Sequence, residues 1–149
     1  MKRVLVKSVF DAFDYVMNHY YPAGLEEFAE VKDTYAVISI QDPGGFGFEF
    51  NETRYCNGVL TLYFDDVEEP GGGCRLITSS QARQIVHFIQ DHMDVDTLLI
   101  HCYAGVSRSR AVGVFARYMF DLPRVEDLSY NEYVYSLLRV VYDNEQKGD

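Results

Sequence analysis

Cys102 and Arg108 are separated by five residues in the run LIHCYAGVSRS, which spans positions 99–109. The apolar residues before Cys102 predict a strand, and the residues from about Ser107 onward predict a helix. A thiol would then lie where the strand ends, and a guanidinium would lie where the helix begins. A sulfur nucleophile facing a fixed, forked cation is suited to chemistry on a tetrahedral dianion such as a phosphate ester.

The Cys102 thiol reacts as a thiolate, so its pKa must fall below its free value of roughly 8.5. Three features favour that shift: the positive end of the following helix, the N–H groups of the turn, and the charge of Arg108. Gly105 lets the backbone bend where a side chain would obstruct it.

The same turn is a candidate phosphate cradle. Its N–H groups would face the phosphoryl oxygens, and the guanidinium would bind two of these oxygens. The residues of this predicted cradle are Tyr103, Ala104, Gly105, Val106, Ser107 and Arg108. Ser109 could donate a hydrogen bond to sulfur and help it leave a phosphocysteine intermediate, and helix capping is the alternative role for this residue. His101 is expected to order the turn through hydrogen bonds to nearby backbone. It is not expected to act as a base, because a thiolate needs none.

The leaving oxygen needs an acid, which we expect on a neighbouring loop that follows a strand. Asp65 and Asp66 both follow a predicted strand, 37 and 36 positions before Cys102. Asp66, the more distal of the two, is the preferred candidate, Asp65 is the alternative, and Glu68 is the next if neither serves. Some of these acids form a solvated acidic loop.

The hydrophobic pattern predicts strands alternating with helices. We expect a single α/β domain over residues 1–149, with a mainly parallel central sheet of about four to five strands flanked by helices. Predicted strands cover 4–9, 35–40, 58–64 and 97–100; predicted helices cover 10–20, 79–93, 107–120 and a closing segment around 133–141. Thr78 with Gln81, and Ser129 with Glu132, have the spacing of capping boxes.

Composition narrows the classes of function. The formal net charge of −10 argues against nucleic acid as a partner. No apolar run is long enough to span a membrane, and the early charges do not fit a secretory signal, so a cytoplasmic protein is expected. The three cysteines, Cys56, Cys74 and Cys102, form no metal-binding spacing and fit a reduced compartment.

The run His101–Ser109 resembles the signature His-Cys-x5-Arg-Ser/Thr of cysteine-dependent protein tyrosine phosphatases, and the small dual-specificity branch is the most similar. The order of acid loop, helix, strand, phosphate loop and helix is also similar. Two features depart from the pattern: the glycine-rich stretch 70–73, which looks like an insertion, and Arg110, where a small or apolar residue is common.

The resemblance implies a nucleophile at Cys102, phosphate binding through Arg108, a helper hydroxyl at Ser109 and an acid at Asp66. It implies a phosphorylated protein or peptide as substrate, carrying phosphotyrosine and as a further option phosphoserine or phosphothreonine, with no metal and no organic cofactor. The alternatives are a phosphate-binding module with little turnover, and a phosphatase of a phosphoinositide or an RNA 5′-phosphate. The sequence carries no indication of the oligomeric state.

Overall fold

The structure is a computed structural model that describes residues 1, 3–25, 27, 29, 31–45, 48–123 and 128–148. Within these residues, strands and helices alternate along most of the chain. The strands are β1 (Arg3–Ser8), β2 (Tyr35–Gln41), β3 (Cys56–Tyr63) and β4 (Thr97–Cys102). The helices are α1 (Val9–Tyr20), α2 (Ser79–Asp91), α3 (Arg108–Met119) and α4 (Glu132–Lys147), with a 3-10 turn at Pro22–Gly24.

The central sheet is entirely parallel, in the order β1-β4-β2-β3. The predicted α/β class with a parallel sheet is therefore confirmed. Strand β4 lies between β1 and β2, with Cys102 opposite Ser8 and His101 opposite Ser39. Because parallel strands end at one edge of a sheet, the start of α1 and the loops that follow β2, β3 and β4 gather around Cys102.

Strand β4 is buried at every position, as expected for an inner strand covered on both faces. Leu98 and Ile100 belong to the core between the sheet and α2, α3 and α4. Leu99 faces the other way, into the smaller core beneath α1. This alternation fixes the register of the strand that carries Cys102, because a slip of one residue would turn each side chain toward the opposite face of the sheet.

Several element boundaries differ from those predicted. Val9 begins α1 rather than ending β1, because Ser8 caps the helix by accepting a hydrogen bond from the N–H of Asp11. Strand β4 extends through Cys102, two residues beyond the predicted end, since His101 continues the ladder with β2. Helix α2 ends at Asp91, which leaves Met93 outside it and 49% exposed.

One predicted capping box is confirmed and the other is wrong. Thr78 and Gln81 form the reciprocal box at the start of α2. Ser129 does not cap α4: the cap is Asn131, whose side-chain oxygen accepts from the N–H of Val134 at 3.0 Å. The spacing of Ser129 and Glu132 fits the pattern, but Asn131 offers an equally good cap two residues later, and the helix begins after it.

No helix among the described residues is long and apolar enough to cross a membrane.

Candidate active site

The loop 103–107, called the phosphate loop here after its predicted role, joins β4 to α3 and lies against the end of β1. The carbonyl of Tyr103 accepts a hydrogen bond from the N–H of Val9 at 3.2 Å. Gly105 has φ +76°, and a Cβ built there would lie 2.3 Å from the backbone nitrogen of Ser8. Only glycine meets both conditions, so the loop owes its shape to this residue and to its contact with β1.

The Cys102 sulfur lies at the base of this loop, and the residue is 2% exposed. Its Sγ is 3.0 Å from Ser109 Oγ and accepts a hydrogen bond from the N–H of Gly105 at 3.2 Å. Burial raises the pKa of Cys102, but hydrogen bonds from the Ser109 side chain and backbone and from Gly105, together with the Arg108 charge, outweigh it and lower the pKa. The thiolate is therefore more favoured than it is in a free cysteine.

Arg108 is 4% exposed and is held through a single nitrogen. Its Nη1 donates to Asp42 Oδ1 at 2.8 Å and to the carbonyl of Phe64 at 2.7 Å. Its Nε is buried and has no hydrogen-bond partner among the described residues. A buried guanidinium N–H without an acceptor is costly, so this atom is suited to an oxygen of a bound anion.

Other donors of the loop are also unused. Among the described residues, the backbone N–H groups of Ala104, Val106 and Ser107 make no hydrogen bond. Tyr103 and Val106 are 61% and 50% exposed, so the loop borders solvent although its sulfur is buried. Free amide donors beside a buried cation are the features of an anion site.

The two candidate acids have different surroundings. Asp66 Oδ1 accepts from Ser107 Oγ at 2.7 Å and from Asn131 Nδ2 at 2.9 Å, so this carboxylate borders the phosphate loop. Asp65 accepts from the N–H of Arg75 at 2.7 Å, and its own N–H donates to the carbonyl of Arg75. The structure thus brings Asp66 to the loop, whereas the contacts of Asp65 close the base of the glycine-rich segment.

His101 links the loop to β2. Its Nδ1 lies 3.3 Å from the carbonyl of Cys102, which can only accept, so Nδ1 carries the proton. Burial and the charge of Arg108 lower the pKa of His101, so the ring is neutral and its Nε2 accepts from the hydroxyl of Ser39 at 2.6 Å. The predicted backbone hydrogen bond is present, and Ser39 is a partner that the sequence did not indicate.

Gln41 extends this chain of hydrogen bonds away from the loop. Its Nε2 donates to Ser39 Oγ at 3.0 Å and to the carbonyl of Phe48 at 2.8 Å. The connection therefore runs from the segment at Phe48 through Gln41, Ser39 and His101 to the backbone of Cys102.

An apolar pocket of about 260 Å³ lies beside the phosphate loop. Phe10 packs edge-on against Phe48 and Tyr103, with ring centroids 5.8 and 6.2 Å apart. The pocket walls come from the ends of β2 and β4 and from α1: Val9, Ile40, Gln41, Asp42, Gly45, Phe48, His101 and Tyr103.

The described part of the chain contains no group of three or more His, Cys, Asp or Glu side chains arranged to hold a metal ion. All three cysteines are free; Cys56 is buried and Cys74 is exposed.

Besides Ser39, two residues that contact Arg108 or the candidate acid escaped the sequence analysis. Asp42 belongs to a stretch interpreted only as a turn, and Asn131 lies in the segment assigned to the wrong capping box. The available signal for Asp42 was its place just after a strand, at the sheet edge where Asp66 and Cys102 were expected. Nothing in the sequence pointed to Asn131 beyond its preference for helix caps.

Comparison with solved structures finds a similar fold in Tk-PTP, a protein tyrosine phosphatase crystallised in its active form. The TM-score is 0.55 at 16% sequence identity, and the match covers 96% of this chain and 92% of that chain. No protein-family model and no curated protein matches the sequence. The chain therefore has a protein tyrosine phosphatase-like fold.

Proposed function

We propose that this protein is a cysteine-dependent phosphatase that hydrolyses phosphotyrosine in proteins or peptides through a phosphocysteine intermediate. One observation carries the proposal: a Cys102 sulfur with a lowered pKa shares a loop with the buried Arg108, whose Nε has no acceptor in the described part of the chain. A nucleophile and an unfilled anion donor at the two ends of a five-residue loop are what phosphoryl transfer requires.

In the first step the Cys102 thiolate attacks phosphorus, and the bond between phosphorus and the ester oxygen breaks. Asp66 gives its proton to that oxygen, so the leaving group departs as a neutral alcohol or phenol. Arg108 and the loop N–H groups hold the three remaining oxygens, where charge accumulates. Metal ions have no role in this scheme.

In the second step water attacks phosphorus and Asp66, now ionised, takes its proton. The bond between sulfur and phosphorus breaks, and the sulfur leaves as a thiolate that Ser109 Oγ, 3.0 Å away, can stabilise. Inorganic phosphate is released, and Asp66 is again protonated for the next cycle.

The pocket beside the loop supports an aromatic ester as substrate. Among the described residues, its walls include the apolar and aromatic side chains of Val9, Ile40, Phe48 and Tyr103, which can contact an aromatic ring. The chain's charge of −10 disfavours an RNA chain or another polyanionic partner. Phosphoserine and phosphothreonine, the further substrates of a dual-specificity enzyme, would leave this pocket unfilled.

The test is single-turnover trapping with an aryl phosphate in the presence of a metal chelator. We expect ³²P to appear on Cys102, and vanadate to block both labelling and turnover. Cys102→Ser should bind phosphate but neither turn over nor become labelled, while Cys74→Ser, at the exposed free thiol, should behave as wild type. Phosphate binding without labelling of the wild-type protein would instead indicate a binding module.

A further inference from the structure

Asn131 caps α4 with only one of the two polar atoms of its side chain. Its Oδ1 caps the helix by accepting from the N–H of Val134 at 3.0 Å. Aspartate or serine would supply such an oxygen equally well. The amide nitrogen is not needed for the cap, yet the residue is 1% exposed, so that nitrogen must find acceptors inside the protein.

Its acceptors lie in the loop that carries the proposed acid. Asn131 Nδ2 donates to Asp66 Oδ1 at 2.9 Å and to the carbonyl of Val67 at 3.1 Å. The backbone N–H of Asn131 donates to the carbonyl of Ser107 at 3.3 Å. Since Ser107 Oγ also donates to Asp66 Oδ1, the three residues form a closed ring of hydrogen bonds.

This ring determines which oxygen of Asp66 can carry a proton. Oδ1 accepts two hydrogen bonds, which occupy both of its lone pairs. A proton on the neutral acid must then reside on Oδ2. An exposed carboxyl group would otherwise sample several rotamers, and the two donors hold it in one.

We propose that Asn131 is a positioning residue: its amide group holds Asp66 against the phosphate loop with Oδ2 directed to proton transfer. The inference rests on the proposed function, in which Asp66 is the general acid. Asn131 does not contact the substrate and acts only through Asp66.

The variants Asn131→Ser and Asn131→Thr separate positioning from capping, because each keeps a neutral capping oxygen and removes the amide donor. We expect both to retain a melting temperature close to that of the wild type. Their kcat for phenyl phosphate, which has a poor leaving group, should fall roughly tenfold, a part of the contribution of about 10²–10⁴ that a general acid makes. For 2,4-dinitrophenyl phosphate, whose leaving group needs little protonation, kcat should change less than threefold. Asn144→Ser, the same exchange at an exposed position of α4, is the control and should change neither rate.

A second set of variants places Asn131→Ser in an Asp66→Asn background. If Asn131 acts through Asp66, it should have no further effect there on either ester. The same loss in both backgrounds, or an equal loss on both esters, would show a merely structural role and overturn the inference.

Failure of the proposed function looks different. In that case the wild-type protein would hydrolyse neither ester and would form no phosphocysteine, and both proposals would fall together. An active wild type with uniform losses in the Asn131 variants would remove the positioning role alone.

Discussion

Asp42 and Arg108 lie 66 residues apart in the sequence and form an ion pair of 2.8 Å at the mouth of the phosphate loop. The guanidinium is almost fully buried, whereas the Asp42 side chain is 52% exposed. The carbonyl of Phe64 accepts from the same nitrogen of Arg108. Two acceptors on Nη1 orient the guanidinium so that Nε remains for a ligand.

We expect Asp42→Ala to lower kcat/KM for an aryl phosphate by about tenfold, because Arg108 loses one of the two groups that orient it. Asp42→Asn keeps an oxygen acceptor and should lose less. Steady-state kinetics of both variants would measure the effect, with Asp91→Ala at the end of α2 as the control. An Asp42→Ala enzyme as active as the wild type would mean that the Phe64 carbonyl alone orients the guanidinium.

Asp66→Asn should slow hydrolysis of phenyl phosphate by about 10²-fold or more, while 2,4-dinitrophenyl phosphate should be affected far less. Protonation matters most for the poorer leaving group, so the ratio of the two rates identifies the acid. Asp65→Asn is the matched control and should loosen the contact with Arg75 without changing that ratio. If Asp65→Asn changes the ratio instead, the two residues exchange roles; if neither does, Glu68→Gln is the next variant to measure.

Ser109→Ala should raise the pKa of Cys102. The Ser109 hydroxyl is 3.0 Å from the sulfur and stabilises the thiolate, so its removal favours the thiol. The midpoint of Cys102 alkylation by iodoacetamide should therefore move to higher pH. The measurement uses a Cys74→Ser background, which removes the exposed thiol. A midpoint that does not move would leave the Ser109 hydroxyl with only a structural role.

Gly105→Ala and Gly72→Ala together test why the phosphate loop needs glycine. Both positions have positive φ, +76° and +63°, but only at Gly105 would a Cβ meet other atoms, the nearest being the nitrogen of Ser8. Gly72→Ala should cost about 1–2 kcal/mol of unfolding free energy, the price of the backbone conformation alone. Gly105→Ala should cost more and abolish turnover, as urea denaturation and kinetics would show. Equal losses of stability would mean that the loop can shift away from β1.

The contiguous parts of the site could be predicted from the sequence, because strand, loop and helix follow one another over residues 99–120. The nucleophile and the arginine are defined by that local pattern, and the parallel sheet follows from the alternation of strands and helices. Asp42 and Asn131 could not be predicted, since each meets its partner only when distant segments fold together, 66 and 65 residues apart.

The error at Ser129 has a related cause. Two overlapping capping patterns fit the same segment, and the choice between them depends on contacts beyond it. Asn131 is the cap that also finds acceptors at Asp66 and Val67. Local spacing carries no information about those acceptors.

The seating of Gly105 on the end of β1 has a consequence for the newly made chain. The first strand and the fourth must pair before the loop has a surface to rest on, so synthesis of the Cys102 segment alone does not create its cradle. The contacts that lower the pKa of Cys102 come from Gly105, Arg108 and Ser109, in the loop and at the start of α3. The first strand of the chain thus supports the chemistry of the fourth, although it contributes no reacting group.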